Sequence, residues 1–149
     1  MDFHFSERML TLKPSAIREI LKGSTSDMIA FAAGNPSTDT FPIAEMGEIA
    51  NGLFADKTRI ASILQYGVSE GYQPLRELCF KRMHDKYQTG GAQDELIITS
   101  GGQQAIDLLT KAMIDPGDTI IVEGPSFIGS LNTFRTYQAN LVAVPMQSD

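Results

Sequence analysis

From residue 95 onward the sequence alternates in a way few folds can absorb. "ELIITS" (95–100) is a short run rich in β-branched residues, and "GQQAIDLLTKAMI" (102–114) has helical spacing. "TIIVEG" (119–124) reads as a strand again, "FIGSLNTFRTYQ" (127–138) as a helix, and "NLVAVPM" (140–146) as a third strand. Strand, helix, strand, helix, strand is a βαβαβ pattern, which predicts an α/β fold with a parallel sheet and right-handed crossovers. The apolar run Ile120-Ile121-Val122 suits a strand buried on both faces. The helix 102–114 is expected to bury Ala105, Leu108, Leu109 and Ala112. "DPGD" (115–118) fits a type II turn, with Pro116 fixing φ and Gly117 taking the positive φ.

The first two-thirds of the chain is less regular. Residues 1–13 read as an arm. "PSAIREILKG" (14–23) reads as a short helix with Pro14 near its start and Gly23 past its end. "MIAFAAGNP" (28–36) is an extended run stopped by Gly34 and Pro36. "IAEMGEIANGLFA" (43–55) has a helical stripe of Ile43, Met46, Ile49 and Leu53. "ILQYGVSEG" (63–71) is loop. "PLRELCFKRMHDKY" (74–87) is a strong helix, with Pro74 in its first turn and Leu75, Leu78, Cys79 and Met83 on one face.

Composition narrows the function classes. The 149 residues suffice for a domain with a core, and at 42% apolar and 20% charged they read as globular material. A net charge of −6 argues against nucleic acid or an anionic membrane as partner. Cys79 is the one cysteine, so no intrachain disulfide forms, in keeping with a reducing compartment. No apolar run nears the roughly 20 residues of a membrane helix. "MDFHFSERML" lacks the basic-then-apolar order of a signal peptide, so a cytoplasmic location is expected. His4 and His84 are isolated from one another and no Asp or Cys sits at a metal-ligand spacing from either, so both read as surface histidines and no metal site is expected. Glu70, Glu77, Asp85 and Lys86 read as solvated charges, and no nucleophile elbow is present.

One corner carries chemistry. Ser100-Gly101-Gly102-Gln103 lies where the carboxyl end of a strand meets the start of a helix, the place where open parallel sheets bind ligands. Backbone N–H groups there have no helical partner and face the positive end of the helix dipole, which suits an anion such as a phosphate. Two glycines let it come close. Read alone, the loop serves equally as a plain strand-to-helix turn, because it matches neither Gly-x-Gly-x-x-Gly nor a Walker loop.

Four stretches in order, "FAAGNPSTDTFP" (31–42), "LQYGVSEGYQPLRE" (64–77), "ITSGGQQAIDL" (98–108) and "DPGDTIIVEGPSFIG" (115–129), resemble the N-terminal part of pyridoxal-phosphate-dependent aminotransferases of fold type I. The nearest likeness is to the subgroup of 2-aminoadipate and kynurenine aminotransferases. The resemblance spans nearly the whole chain. It implies a three-layer α/β fold of which this chain holds the N-terminal arm, its helices and the first strands of the large-domain sheet. Residues 1–35 would be the arm and short helix, part of the small domain and substrate lid; residues 36–149 would begin the cofactor-binding large domain.

The resemblance also implies roles. Gly101, Gly102 and Gln103 match the loop that cradles the cofactor phosphate; many relatives carry a hydroxyl residue at the position of Gly102, so backbone groups must do more here. Phe127 matches the aromatic that stacks on the pyridine ring, often a tyrosine elsewhere. Tyr66 matches a tyrosine that reaches the phosphate in the neighbouring subunit, which implies a homodimer. Gly34 matches the glycine beside the substrate carboxylate, and Arg18 an arginine of the mobile N-terminal helix that meets the substrate side chain. No catalytic residue is expected among these 149. The Schiff-base lysine, the carboxylate that holds the pyridine nitrogen protonated and the arginine for the substrate carboxylate all lie further along in the family, beyond Asp149. The chain is thus expected to be the N-terminal part of an enzyme that moves an amino group from an amino acid to a 2-oxo acid. It is expected to be inactive alone, with the apolar faces of an unfinished sheet uncovered. Alternatives are a cofactor-binding effector domain of a transcription regulator, a related lyase using the same cofactor, or a βαβ domain with no cofactor. The regulator would carry a basic DNA-reading segment before the domain, and none is seen here.

Overall fold

The computed structural model describes residues 3–10, 12, 19, 22–23, 25, 28–29 and 34–147. Most of the helix expected over 14–23, Arg18 within it, and residues 30–33 of the extended run 28–36 lie outside the described residues. The chain forms two compact units, Gly34–Ile98 and a second built from Met1–Ala33 with Thr99–Asp149.

In the Gly34–Ile98 unit, Ser37 caps a 3-10 turn over Thr38–Thr40, accepting from the Asp39 N–H at 3.4 Å. Helix α1, Glu7–Leu10, belongs to the other unit. Helix α2 spans Ile43–Ala55, as its periodicity predicts, although Ile43, Met46 and Ile49 are exposed and only Leu53 is half-buried. Helix α3, Lys57–Ile63, follows at once. Its cause is local: the Asp56 carboxylate accepts from the N–H groups of Thr58 and Arg59 at 3.0 and 3.1 Å, the ordinary role of an N-cap aspartate. Residues 64–72 remain loop around Tyr66.

Helix α4, Gln73–Tyr87, starts on Pro74 and stops at Gln88, which takes the left-handed conformation at φ 55° and donates its N–H to the His84 carbonyl. Its covered face differs from the expected one. Leu75 and Leu78 are exposed, whereas Arg76, Cys79 and Phe80 are half-buried. The segment leaving the helix decides this by folding back over that side. Arg76 Nε donates to the Leu96 carbonyl at 2.5 Å, Arg76 pairs with Glu95 at 3.7 Å, and Gly90 passes so near the Phe80 ring that an added Cβ would sit 3.0 Å from it.

The segment 95–100 is a second correction: it is not a strand. A strand exists only when its backbone groups meet a partner, and here the Ile98 N–H donates to the Glu70 carbonyl of the loop instead, at 2.9 Å. The observed pattern is therefore one βαβ with a helix before it.

In the second unit, helix α5 runs Gly101–Met113, strand β1 Thr119–Gly124, helix α6 Ile128–Thr136 and strand β2 Asn140–Pro145. The two strands pair in parallel, from Thr119 opposite Asn140 to Gly124 opposite Pro145. The 115–118 turn forms as expected: the Asp118 N–H reaches the Asp115 carbonyl at 3.1 Å, with Gly117 at φ 96°. It is tied to the start of β2 by Asn140, whose side-chain amide donates to the Gly117 carbonyl at 2.7 Å.

Helix α5 packs on α6 through a face that shares only Ala105 with the one the periodicity singled out. Leu108, Leu109 and Ala112 are exposed, while Ala105 and Ile106 are half-buried and Thr110 is 3% exposed. Thr110 and Thr133 are the buried polar residues among those described, and no described apolar residue is fully buried. Each threonine satisfies its hydroxyl one turn back, Thr110 on the Ile106 carbonyl at 2.6 Å and Thr133 on that of Gly129 at 3.3 Å, so burial strands no donor. On β1, Ile120 and Val122 are half-buried but Ile121 is 71% exposed. The strand is covered on one face only, against the expectation for Ile120-Ile121-Val122 and in line with that of an open sheet with bare apolar faces. Helix α1 lies near α6, with the Arg8 guanidinium 6.0 Å from the centre of the Tyr137 ring. Burial, and after it the Asp107 carboxylate, raises the Tyr137 pKa above its ordinary value.

Candidate functional site

The corner at 99–103 is built from two backbone turns. Ser100, at φ −77° and ψ 68°, sits at the centre of an inverse γ-turn closed by the Gly101 N–H on the Thr99 carbonyl at 2.9 Å. Gly101 then takes φ 78°, a conformation that side chains disfavour, and the chain enters α5. The Ser100 N–H is held by the Gln104 side-chain oxygen at 2.5 Å. The Ser100 hydroxyl, by contrast, makes no capping bond, and no acidic residue stands in the first turn of the helix.

No side chain therefore caps the N–H groups of Gly102 and Gln103. Gly101 differs from them: its own N–H is used within the turn, so its contribution is shape. A Cβ built on either glycine meets nothing within 4 Å. The corner is an open, uncapped helix N-terminus, an arrangement that attracts an anion through its N–H groups and dipole.

Phe127 borders the gap at Gly129 that the Gln103 side chain also borders. It is the N-cap residue of α6, directly after the turn that leaves β1, and its ring is 64% exposed. Serine at the preceding position fixes that turn, Ser126 Oγ donating to the Glu123 carbonyl at 2.5 Å. Gly129 is where the ring and α5 meet. A Cβ there would lie 2.6 Å from Gln103 Oε1 and 2.8 Å from Phe127 Cζ. The Gln103 side chain turns towards α6, its Nε2 donating to Thr133 Oγ1 at 2.5 Å and to the Gly129 carbonyl at 3.3 Å.

So four of the expected residues, Gly101, Gly102, Gln103 and Phe127, stand together in one unit. Gln103 faces the corner with its backbone and α6 with its side chain. Tyr66 is in the other unit, 99% exposed on the 64–72 loop, with its N–H on the Gln65 side chain at 2.8 Å. Gly34 is in that unit as well, at φ 59° with open space around its Cα. Gly129 and Thr133 were missed by sequence reasoning. A glycine two residues after the aromatic was the available signal for the first; nothing in the sequence points Thr133 at Gln103.

Among the described residues no group of three or more His, Cys, Asp or Glu side chains could hold a metal ion, and no helix is long and apolar enough to cross a membrane. A cavity of about 770 Å³ lies between α4 and the 90–96 segment, lined by Arg76, Phe80, Lys81, His84, Asp94 and Glu95 among others. Its polar groups are engaged locally: Arg76 on Leu96, Lys81 on Asp85, His84 on the Gly90 carbonyl and Asp94 on the Gly91 N–H. The anion-receptive corner is the better candidate.

Comparison with known proteins points the same way. The family model described as aminotransferase class I and II matches residues 26–149. The chain is 38% identical over 147 residues to aromatic-amino-acid aminotransferase 1 of Thermococcus litoralis, covering 98% of this chain and 35% of that one. Among solved structures it is similar to kynurenine aminotransferase of Pyrococcus horikoshii, in complex with PMP, with TM-score 0.85 and 35% identity over 96% of this chain and 35% of that one. It is also similar to the alpha-aminoadipate aminotransferase of Thermus thermophilus complexed with N-(5'-phosphopyridoxyl)-L-leucine, with TM-score 0.77 and 35% identity over 95% and 33%. The chain spans about a third of the length of these relatives.

Proposed function

Because the chain belongs to the aminotransferase class I and II family, we propose that it forms the phosphate- and ring-holding part of a pyridoxal-phosphate-dependent aminotransferase, which passes an amino group from an amino acid to a 2-oxo acid. The observation that carries this reading is at the start of α5: an uncapped helix N-terminus opened by two glycines, with the Phe127 ring bordering the gap at Gly129 that the Gln103 side chain also borders. Pyridoxal 5'-phosphate combines a phosphate anion with a flat aromatic ring, and the corner offers a complement to each. The open space at Gly101 and Gly102 is a cradle that side chains would fill.

In this reading the N–H groups of Gly102 and Gln103 hold the phosphate, Gly101 gives the turn its shape, and Phe127 lends its face to the ring. When bound, the cofactor supplies an electron sink for charge developing at the substrate α-carbon. Tyr66 donates its hydroxyl to the phosphate in the neighbouring subunit of a homodimer, Gly34 lies beside the substrate carboxylate, and Arg18 meets the substrate side chain. Residues 1–35 act as arm and lid, and 36–149 as the start of the large domain. Proton transfer is assigned to residues outside this chain, since Lys111, in the last turn of α5, matches no catalytic position. The enzyme works in the cytoplasm and uses neither nucleic acid nor membrane as partner.

The test is a titration of the metal-free, cofactor-stripped full-length protein with pyridoxal phosphate, followed by absorbance. Stoichiometric binding is expected, with the long-wavelength band lost on adding an amino acid and restored by a 2-oxo acid. Absence of binding, or binding without that exchange, would overturn the reading.

A further inference from the structure

The Phe127 ring is mostly open to solvent, yet a stacking platform works only if it is held still. An unsupported aromatic at a helix start samples several χ1 wells, and fixing it on binding costs entropy. The structure shows what is available to hold it. Gln103 Nε2 donates to Thr133 Oγ1 at 2.5 Å and to the Gly129 carbonyl at 3.3 Å, and Thr133 Oγ1 donates to that same carbonyl at 3.3 Å. The short bond is that between the Gln103 amide and the Thr133 hydroxyl; the two 3.3 Å contacts to the Gly129 carbonyl come beside that carbonyl's place in the α6 ladder. Thr133 is 9% exposed, so this triangle is anchored at its inner end, and the Gln103 amide becomes a fixed wall. The Phe127 ring borders the same gap as that wall: the point where a Gly129 Cβ would stand is 2.4 Å from Phe127 Cε1, 2.8 Å from Phe127 Cζ and 2.6 Å from Gln103 Oε1. The missing side chain of Gly129 leaves the space that ring and amide share.

We infer that Thr133 and the Gln103 side chain are positioning residues that fix the Phe127 ring for stacking on the cofactor. Gln103 thus serves the site twice, through its backbone N–H at the phosphate and through its amide at the ring. The inference rests on the reading of Phe127 as the stacking residue.

The test uses the full-length protein, with pyridoxal phosphate as ligand and two readouts: the cofactor dissociation constant and the visible circular dichroism of the bound cofactor, which reports how rigidly the ring is held. Thr133→Val keeps the volume and removes the hydroxyl. It is expected to weaken binding about five-fold, the loss of one neutral hydrogen bond, and to shrink the dichroic band. Thr133→Ser restores both. In a Phe127→Leu background, Thr133→Val has no further effect on affinity, because the residue it positions is gone. Gln103→Met, which keeps the backbone N–H, is expected to behave as Thr133→Val does and replaces it should that variant not fold. If Phe127→Leu weakens binding while both Thr133→Val and Gln103→Met bind like the parent, the positioning role is wrong and the site reading stands. Equal losses with and without Phe127 would also refute it, since Thr133 would then act on the helix pair alone. If Phe127→Leu itself leaves binding unchanged in a folded protein, the stacking assignment falls, and the inference with it.

Discussion

Gly71 and Ile98 meet where the loop before α4 crosses the segment leading to α5: a Cβ placed on Gly71 would lie 2.7 Å from both Cβ and Cγ1 of Ile98, and the glycine stands at φ 104°. Beside it, the Ile98 N–H donates to the Glu70 carbonyl. Gly71→Ala therefore meets both backbone strain and overpacking, each costing about 1–3 kcal/mol. The full-length variant should unfold at clearly lower denaturant concentration, and Ile98→Ala in the same chain should recover little of the loss, because alanine keeps the Cβ that the added methyl would meet at 2.7 Å. An unchanged midpoint for Gly71→Ala would show that Gly71 does not approach the Ile98 side chain this closely.

Gly102 tests the phosphate from the other direction. Nothing lies within 4 Å of its would-be Cβ, so Gly102→Ser should fold as the parent does. Its hydroxyl would stand at the open mouth of α5, where one hydrogen bond to a charged group is worth roughly 1.5–3 kcal/mol. Pyridoxal phosphate should bind about ten-fold tighter or more. Weaker or equal binding by equilibrium titration would argue that the phosphate sits elsewhere. Gly101 is the poorer site for such a test, because at φ 78° any side chain strains the turn itself.

Tyr66 packs on nothing within its own unit, so Tyr66→Phe should leave folding untouched. Cofactor affinity in the full-length protein should fall, by about 1.5–3 kcal/mol if the hydroxyl donates to a phosphate. Mixing that variant with one lacking the Schiff-base lysine should restore part of the activity: in the mixed dimer one site carries both lesions and the other carries neither. No recovery after verified subunit exchange would contradict a shared site.

Asp85 offers a pH-dependent readout away from the site. Its hydrogen bond and ion pair with Lys81, one turn back on α4, hold its pKa below the ordinary carboxylate value of 3.8. A depressed folded-state pKa contributes stability above the unfolded pKa and loses it as pH falls through the folded one. Both side chains are mostly exposed, so the contribution should be small and vanish in high salt. NMR titration of the Asp85 carboxyl should show a midpoint below that of an isolated aspartate, moving upward in Lys81→Met. An unchanged midpoint in that variant would assign the shift to another group.

The glycines and the helix start at 101–103 were legible because their signals lie within a few residues of one another, whereas the strand end expected before them is absent, because 95–100 meets no partner strand. The signal is as local for the cap at Asp56, which the sequence displayed and the periodicity reading passed over. The Gln103 side chain was not legible, because its partners Gly129 and Thr133 lie 26 and 30 residues away on another helix. No spacing rule connects them.

Elements whose cause lies within a single turn of chain were determined by the sequence alone: the α2 and α4 helices, the Asp115–Asp118 turn and the glycine-opened start of α5. Only the tertiary structure decided which surfaces those elements bury. Residues 95–100 have strand composition, yet a strand needs a partner's backbone, and Glu70 took the Ile98 N–H instead. Helix α5 has leucines enough for a core face, yet it turns Ile106 and Thr110 inward, and α4 covers Arg76 and Phe80 rather than Leu75 and Leu78. Helix formation is a property of neighbours in sequence; pairing and burial depend on which distant segment arrives, and that information is spread over the whole chain.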